Sequence, residues 1–300
     1  MTPFQWLTWV VMRSFPLRYG DHHLRNHLAG VPEGRDLWTQ KLRGYPLKIT
    51  FKPKTYMGWF LFYRGVYEEI PLATCYSLLE PGMTFADIGA NQGLYSLVAA
   101  HKVTGTGKVL AFEPQSALIS IIRQNITQNS LDNVLLHNIA IGDRCETLTL
   151  YQPSATNDGQ ATLRLLEGEK FFGTPEEVAV RPLPDVLAEE KITRLDGMKI
   201  DVEGAEWMVL KGMEPLLARR EPEFLLIECI DGHLKRFGHS CAEVFTLLQD
   251  HGYRLASLKR GKWLQFNNDE EFRLKTTSSS DVLAVHPETA TWEKAKRIFR

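Results

Sequence analysis

The sequence predicts an α/β fold, a mostly parallel seven-stranded sheet with helices on both faces in a Rossmann-like arrangement. Two observations predict it. From residue 85 onward, short apolar runs alternate with stretches of helical periodicity, the pattern of strands joined by crossover helices. The first of those runs passes into a helix through FADIGANQGLYS (85–96), and a glycine-containing turn at the first strand end is where such sheets hold ligands.

Taken in order, TFADIG (84–89) reads as the first strand and KVLAFEP (108–114) as the second. NVLLHNIAIG (133–142), GMKIDVEG (197–204) and EFLLIEC (223–229) follow, and YRLASLK (253–259) with DVLAVHP (281–287) closes the sheet as an antiparallel pair. Between the second and third strands, ALISIIRQNITQN (117–129) places Leu118, Ile121, Ile122 and Asn125 on one helical face. AEWMVLKGMEPLL (205–217) stacks Ala205, Met208, Val209, Gly212, Met213 and Leu216 in the same way, and CAEVFTLLQDHGY (241–253) ends on a helix-stopping glycine. Residues 143–183 break the alternation. ETLTLY, ATLRLL and EEVAVRPL read there as strands of a small β-insert before the fourth main strand, placed to shape a pocket. Before residue 80, FQWLTWVVM reads as a short amphipathic helix, YPLKITFKP as a strand and EEIPLATCYSLL as a helix, together a cap on the sheet. The expected organisation is a cap over 1–80, the main domain over 81–290 with the insert at 143–183, and a tail at 291–300.

Composition excludes several classes. Hydrophobic content of 44% and charged content of 24% are those of a globular chain, and a net charge of −1 gives no general attraction for nucleic acid. Charge is unevenly placed, however: residues 1–54 hold nine Lys or Arg against Asp21, Glu33 and Asp36. Cys75, Cys145, Cys229 and Cys241 form no CxxC pair, which fits reduced thiols and a cytoplasmic location. The opening MTPFQWLTWVVM is too short for a membrane span and lacks the basic start of a signal peptide. Its aromatic and basic residues read as packed on the sheet, with peripheral contact to an anionic membrane as the alternative.

In DIGANQG, glycines at 89 and 93 allow positive φ and close backbone approach, and the helix beginning near Leu94 offers free N–H groups to an anion. A dinucleotide fingerprint needs glycine at the first, third and sixth positions; counting from Gly89, the third is Asn91 and the sixth is Leu94. The pyrophosphate reading is thereby weakened. What remains is Asp87, the Gly-x-Asn-x-Gly turn, and Glu113 at the end of the next strand. An acid there can accept hydrogen bonds from both hydroxyls of an unphosphorylated ribose, and Asp87 adds negative charge for a cationic group. S-adenosylmethionine suits both features.

The ordered set FADIGANQGLYS, VLAFEPQSAL, LHNIAIGD and MKIDVEGAEWMVLKG resembles the FkbM family of S-adenosylmethionine-dependent methyltransferases. GVYEEIPLATCYSLLEPG before it, and NDGQATL and VAVRPLPDVL in the insert, resemble the family as well. Pro184 departs from it by standing where the family usually has an acid. The resemblance implies a class I methyltransferase fold. It further implies that Asp87, Gly89, Asn91 and Gly93 surround the methionine part of the cofactor, that Glu113 holds the ribose and that Asn138 lies near the adenine. Ala90, Tyr95, Pro114 and Ile139 belong to the same cofactor-binding set. Family membership also implies methyl transfer to a hydroxyl of a sugar, glycan, lipid-linked or natural-product acceptor.

KIDVEGAE supplies the second cluster. Asp201 ends the fourth strand beside the glycine loop, Glu203 and Glu206 follow it, and Glu228 ends the fifth strand. In-line methyl transfer to oxygen needs a base for the hydroxyl proton, and Asp201, Glu203 and Glu228 are the candidates. Glu206 reads equally as a complement to a helix dipole. A divalent ion on Asp201, Glu228 and Asp231 is chemically conceivable, but the expectation is no metal. His233 in DGHLKRFG is an alternative base, and His23 with His27 a weak zinc pair lacking a third ligand. The competing functions are an NAD-dependent oxidoreductase, opposed by the missing glycines, and a non-catalytic nucleoside-binding module, opposed by the acids at 201 and 203.

Overall fold

The computed structural model describes residues 2–14, 30–31, 33–152, 158–258 and 280–298. His23 and His27, residues 153–157 of the insert and most of the polar stretch 276–281 lie outside them. The strands in chain order are β1 (Trp38–Lys41), β2 (Lys48–Phe51), β3 (Thr84–Ile88), β4 (Lys108–Phe112), β5 (Val134–His137), β6 (Ala140–Ile141), β7 (Glu146–Gln152), β8 (Phe172–Arg181), β9 (Gly197–Ile200), β10 (Phe224–Cys229), β11 (Arg254–Ser257) and β12 (Ser280–Val285).

Seven of them form the expected sheet, in the order β11-β12-β10-β9-β3-β4-β5. The five from β5 to β10 are parallel, and β12 runs antiparallel between β10 and β11. Alternation along each strand sends side chains to two cores. Phe85, Phe224, Leu226, Leu283 and Val285 join the core under the helices Tyr56–Arg64, Glu69–Leu78 and Leu94–Val103. Ala86, Leu225, Ile227, Val282 and Ala284 join the opposite core, under Leu183–Glu189, Glu206–Gly212 and Cys241–Asp250. Each fully buried Leu, Ile or Phe contributes roughly 1.5–3 kcal/mol, so two cores of this size hold the sheet.

Several local expectations are corrected. The third strand is split: Val134–His137 stays in the main sheet, while Ala140–Ile141 pairs with β8 in the insert. The insert is a three-stranded sheet, β6-β8-β7, and ATLRLL contributes only an isolated bridge between Thr162 and Tyr151. The 205–217 stretch is two helices, Glu206–Gly212 and Glu214–Leu217. The break falls where Gly212 presses on the Gly142 carbonyl, which a Cβ would approach to 2.1 Å, and Met208 is only half-buried. Pro184 stands in the first turn of Leu183–Glu189, where a missing N–H costs nothing.

The face predicted for 117–129 is the one buried: Leu118, Ile121, Ile122 and Asn125 in the helix Ser116–Gln128. Asn125 fastens the β1–β2 hairpin to it. Its Oδ1 accepts from Thr50 N–H at 2.7 Å, and its Nδ2 donates to the carbonyls of Thr50 and Gln92, both at 2.9 Å. Among the described residues the cysteines are free, with only Cys145 exposed, and no helix is long and apolar enough to cross a membrane.

Candidate active site

β3 is the middle one of the five parallel strands, with β4 on one side and β9 on the other, and the chain leaving it turns over both neighbours. The N–H groups of Gly89 and Ala90 both donate to the terminal carbonyl of β4, Phe112 O, at 3.0 and 2.9 Å. Asp201 N–H donates to Ile88 O at 3.0 Å, which brings the start of the β9 loop against Gly89. A Cβ at Gly89 would stand 1.8 Å from the Asp201 carbonyl oxygen, so this glycine serves the contact between two loops. Gly93 caps the next helix at φ +87° and faces Ile122.

A cleft of about 450 Å³ opens at these strand ends. Gly89, Ala90, Asn91, Tyr95, Glu113, Pro114 and Ile139 line one part of it, and Asp201, Glu203, Glu228 and His233 line another. Three of the expected cofactor residues are placed differently. Asp87 is buried beneath the loop, where it accepts from Ser96 Oγ at 2.5 Å; burial raises its pKa, with Lys199 opposing. Gly93 lies behind the wall, as above. Asn138 does not line the cleft either; its Nδ2 donates to the carbonyls of Glu113 and Pro114 at 3.0 and 2.9 Å and so holds the turn in shape.

Glu113 is almost wholly buried and accepts the N–H groups of Asn91 at 2.7 Å and Gln115 at 2.9 Å. Burial raises its pKa to about 7, those two hydrogen bonds opposing. A carboxylate has about four acceptor sites, so two remain for hydroxyls. Asn91 Oδ1 beside it is buried and has no partner among the described residues, a second acceptor on the same wall. The site thus fits a diol-bearing nucleoside.

The catalytic candidates converge. Oxygens of Asp201, Glu203 and Glu228 lie within 4.8 Å of one another. Asp231, weighed as a metal ligand, is not in that group; it accepts Cys241 N–H at 2.9 Å and pairs with Lys235. Glu206 accepts the N–H groups of Gly204 and Val202 at 3.1 and 3.3 Å, which assigns it to the turn before its helix. Glu203 occupies the left-handed region at φ +54°, which carries its carboxylate to His233 Nδ1 at 2.7 Å. The hydrogen bond to Glu203 raises the His233 pKa, and burial raises that of Glu203 with His233 opposing.

Two features escape sequence reasoning. Lys199, inside β9, is buried; its Nζ donates to Asp201 Oδ2 at 2.7 Å and lies 4.7 Å from the Tyr95 ring centre. Burial opposes its charge, yet Asp201, Glu68 and Asp87 hold its pKa above the ordinary lysine range. A charged residue inside GMKID was the available signal. The other is the cap's share of the cleft, through Tyr56, Met57, Tyr67 and Glu68. Glu68 accepts from Tyr95 OH at 2.8 Å and, at φ +49°, leads into the helix Glu69–Leu78, which the sequence shows only as a helix start. From the insert, Leu150, Gly159, Gln160, Ala161 and Leu163 form the outer wall, tied to the β10 loop by Arg236 donating to Glu169 at 2.7 Å.

The crevice lies at the strand ends of a Rossmann-like sheet, and residues 87–255 match the Methyltransferase FkbM domain. The chain belongs to the FkbM methyltransferase family. It is 27% identical to Methyltransferase 1 of Beauveria bassiana over 66% of this chain and 83% of that one. It is 32% identical to Methyltransferase sdnD of Sordaria araneosa, over 50% and 68%. The 31-O-demethyl-FK506 methyltransferase FkbM of Streptomyces tacrolimicus is 29% identical, over 64% and 82%. Among solved structures, a SAM-dependent methyltransferase from Aquifex aeolicus superposes with a TM-score of 0.38 at 16% identity, over 71% of this chain and 88% of that one.

Proposed function

We propose that the cleft binds S-adenosylmethionine at Glu113 and Asn91 and that its other part holds a hydroxyl-bearing small molecule or glycan for methylation. The observation that carries this is one cleft joining a buried ribose-type carboxylate, Glu113, to a histidine–carboxylate pair, His233 and Glu203. Bound there, the cofactor would supply a methyl group on a positively charged sulfur. The acceptor oxygen forms the new C–O bond, the C–S pair of electrons returns to sulfur, and the hydroxyl proton must leave.

His233 is the base that fits the geometry best. Glu203, as a carboxylate on Nδ1, selects the tautomer with Nε2 as acceptor, the relation by which a buried acid orients a catalytic histidine. Asp201 already accepts a proton-rich partner, Lys199, so it and Glu228 serve to hold acceptor hydroxyls. Lys199 supplies the positive charge a metal would bring to this cluster, and the reading needs no metal. The similarity to the Streptomyces 31-O-demethyl-FK506 methyltransferase supports oxygen as the methylated atom.

The test follows S-adenosylhomocysteine release with a panel of hydroxylated acceptors. His233→Ala is expected to lower kcat by ~10²–10⁴-fold while cofactor affinity stays within about twofold. The rate should rise with pH as His233 loses its proton, with an inflection above the ordinary histidine value. Glu203→Gln removes the interaction that raises that value, so the inflection should move to lower pH. Unchanged turnover in His233→Ala would remove it from the mechanism.

A further inference from the structure

The helix Pro3–Ser14 carries apolar side chains on its outer side as well as its inner one. Its buried side chains include Thr8 and Met12, while Phe4, Trp6 and Leu7 are 57%, 58% and 53% exposed and Val11 is 36% exposed. Phe4, Leu7 and Val11, at i, i+3 and i+7, share one outward face. The inward side packs on the helix Tyr56–Arg64, so the outward apolar face is surplus to folding.

Basic side chains flank the helix on its β1 side. Trp6, Trp9, Arg13, Trp38 and Lys41 line a groove between this helix and strand β1. The Arg13 guanidinium lies 4.2 Å from the Trp9 ring centre and the Arg35 guanidinium 5.1 Å from that of Trp38. Arg43 is close enough to Arg13 to lower its pKa, after burial. Among the described residues no carboxylate pairs with Arg35, Lys41 or Arg43, and all three are exposed. The same residues 1–54 carry an excess of six positive charges in a chain whose net charge is −1.

We propose that this face docks on an anionic lipid surface, Phe4, Leu7 and Val11 entering the interface and Arg35, Lys41 and Arg43 meeting the head groups. Apolar burial and charge attraction are the two parts of interfacial helix binding, and aromatic side chains favour the same depth. A second copy of the chain would bring a like basic rim against this one, which opposes self-association through the face. The helix Tyr56–Arg64 connects the two regions: Phe62 borders the groove, and Tyr56 and Met57 line the cleft, about 9 Å apart along a helix axis. Docking would therefore hold the cleft near the membrane.

The experiment sediments the full chain with vesicles of phosphatidylcholine, with and without one part in four of phosphatidylglycerol. Binding is expected only with the anionic lipid and should fall at least ~10-fold between low and high salt. Phe4→Asp/Leu7→Asp and Lys41→Glu/Arg43→Glu should each weaken it ~10-fold or more, with unchanged far-UV circular dichroism and melting temperature showing intact folds. Absence of wild-type binding, equal binding to neutral vesicles, or full binding by both double variants would overturn the proposal. So would a dimer in solution that Phe4→Asp/Leu7→Asp dissolves, since a second copy would then cover the face.

Discussion

Lys199→Met is expected to destabilise the protein by roughly 3–5 kcal/mol at neutral pH, because it leaves buried carboxylates without their cation. Lys199 lies among Asp201, Glu68 and Asp87, and its ammonium is the shared counter-charge for all three. Burial already raises the pKa of Glu68 and Asp87, with Lys199 holding both down, and brings Asp281 to about 7. An acid whose folded pKa exceeds its unfolded one takes up its proton earlier in the folded state. Stability therefore rises as pH falls through that window and levels off below the unfolded value. Removing Lys199 raises these folded pKa values further and widens the window. The deficit against wild type, read by urea unfolding, should be largest near pH 8 and shrink towards pH 5. A deficit that grows on acidification, or none at all, would contradict the assignment of Lys199 as the electrostatic centre.

Gly89→Ala should fail to fold or lose at least ~4 kcal/mol, the range reached when strain and overpacking combine. Its φ is +83°, and the added Cβ would lie 1.8 Å from a backbone oxygen, that of Asp201, which no rotamer change can move. Gly93→Ala is the internal comparison. Its φ is +87°, but the nearest atom is the Ile122 Cγ2 at 3.3 Å, which can shift, so a cost of ~1–2 kcal/mol is expected. Thermal unfolding of both variants gives the order. Gly93→Ala proving the more costly would mean that the glycine loop and the β9 loop do not meet as described.

The contrast between those glycines shows what the sequence could and could not carry. Period-two and period-3.6 patterns located the strands of the main sheet along the chain and the buried face of Ser116–Gln128, because burial of one face is a local signal. The spacing of Gly89 and Gly93 located the cleft, yet the reason for Gly89 is a contact with Asp201, 112 residues later and invisible to local pattern. Asp87 illustrates the same limit. An acid at a strand end suggests a ligand contact, whereas the pleat turns this one inward to Ser96 and Lys199. Glu203 and His233 were each legible as candidates, but their pairing depends on a left-handed residue after β9 and a short helix after β10. The cap's contribution, above all Glu68, follows from how residues before the sheet fold back over it, which no motif encodes.

The proposed S-adenosylmethionine site lies in the cleft between the β3, β4 and β9 ends, with Glu113 as the ribose acceptor. Calorimetric titration of the full chain with S-adenosylhomocysteine tests it most directly, with NAD as the comparison and Glu113→Ala alongside. The expected result is a dissociation constant on the order of micromolar for the adenosyl ligand, weakened at least ~30-fold in Glu113→Ala, and no heat with NAD. No binding of the adenosyl ligand by the folded wild type, or equal binding by Glu113→Ala, would contradict it.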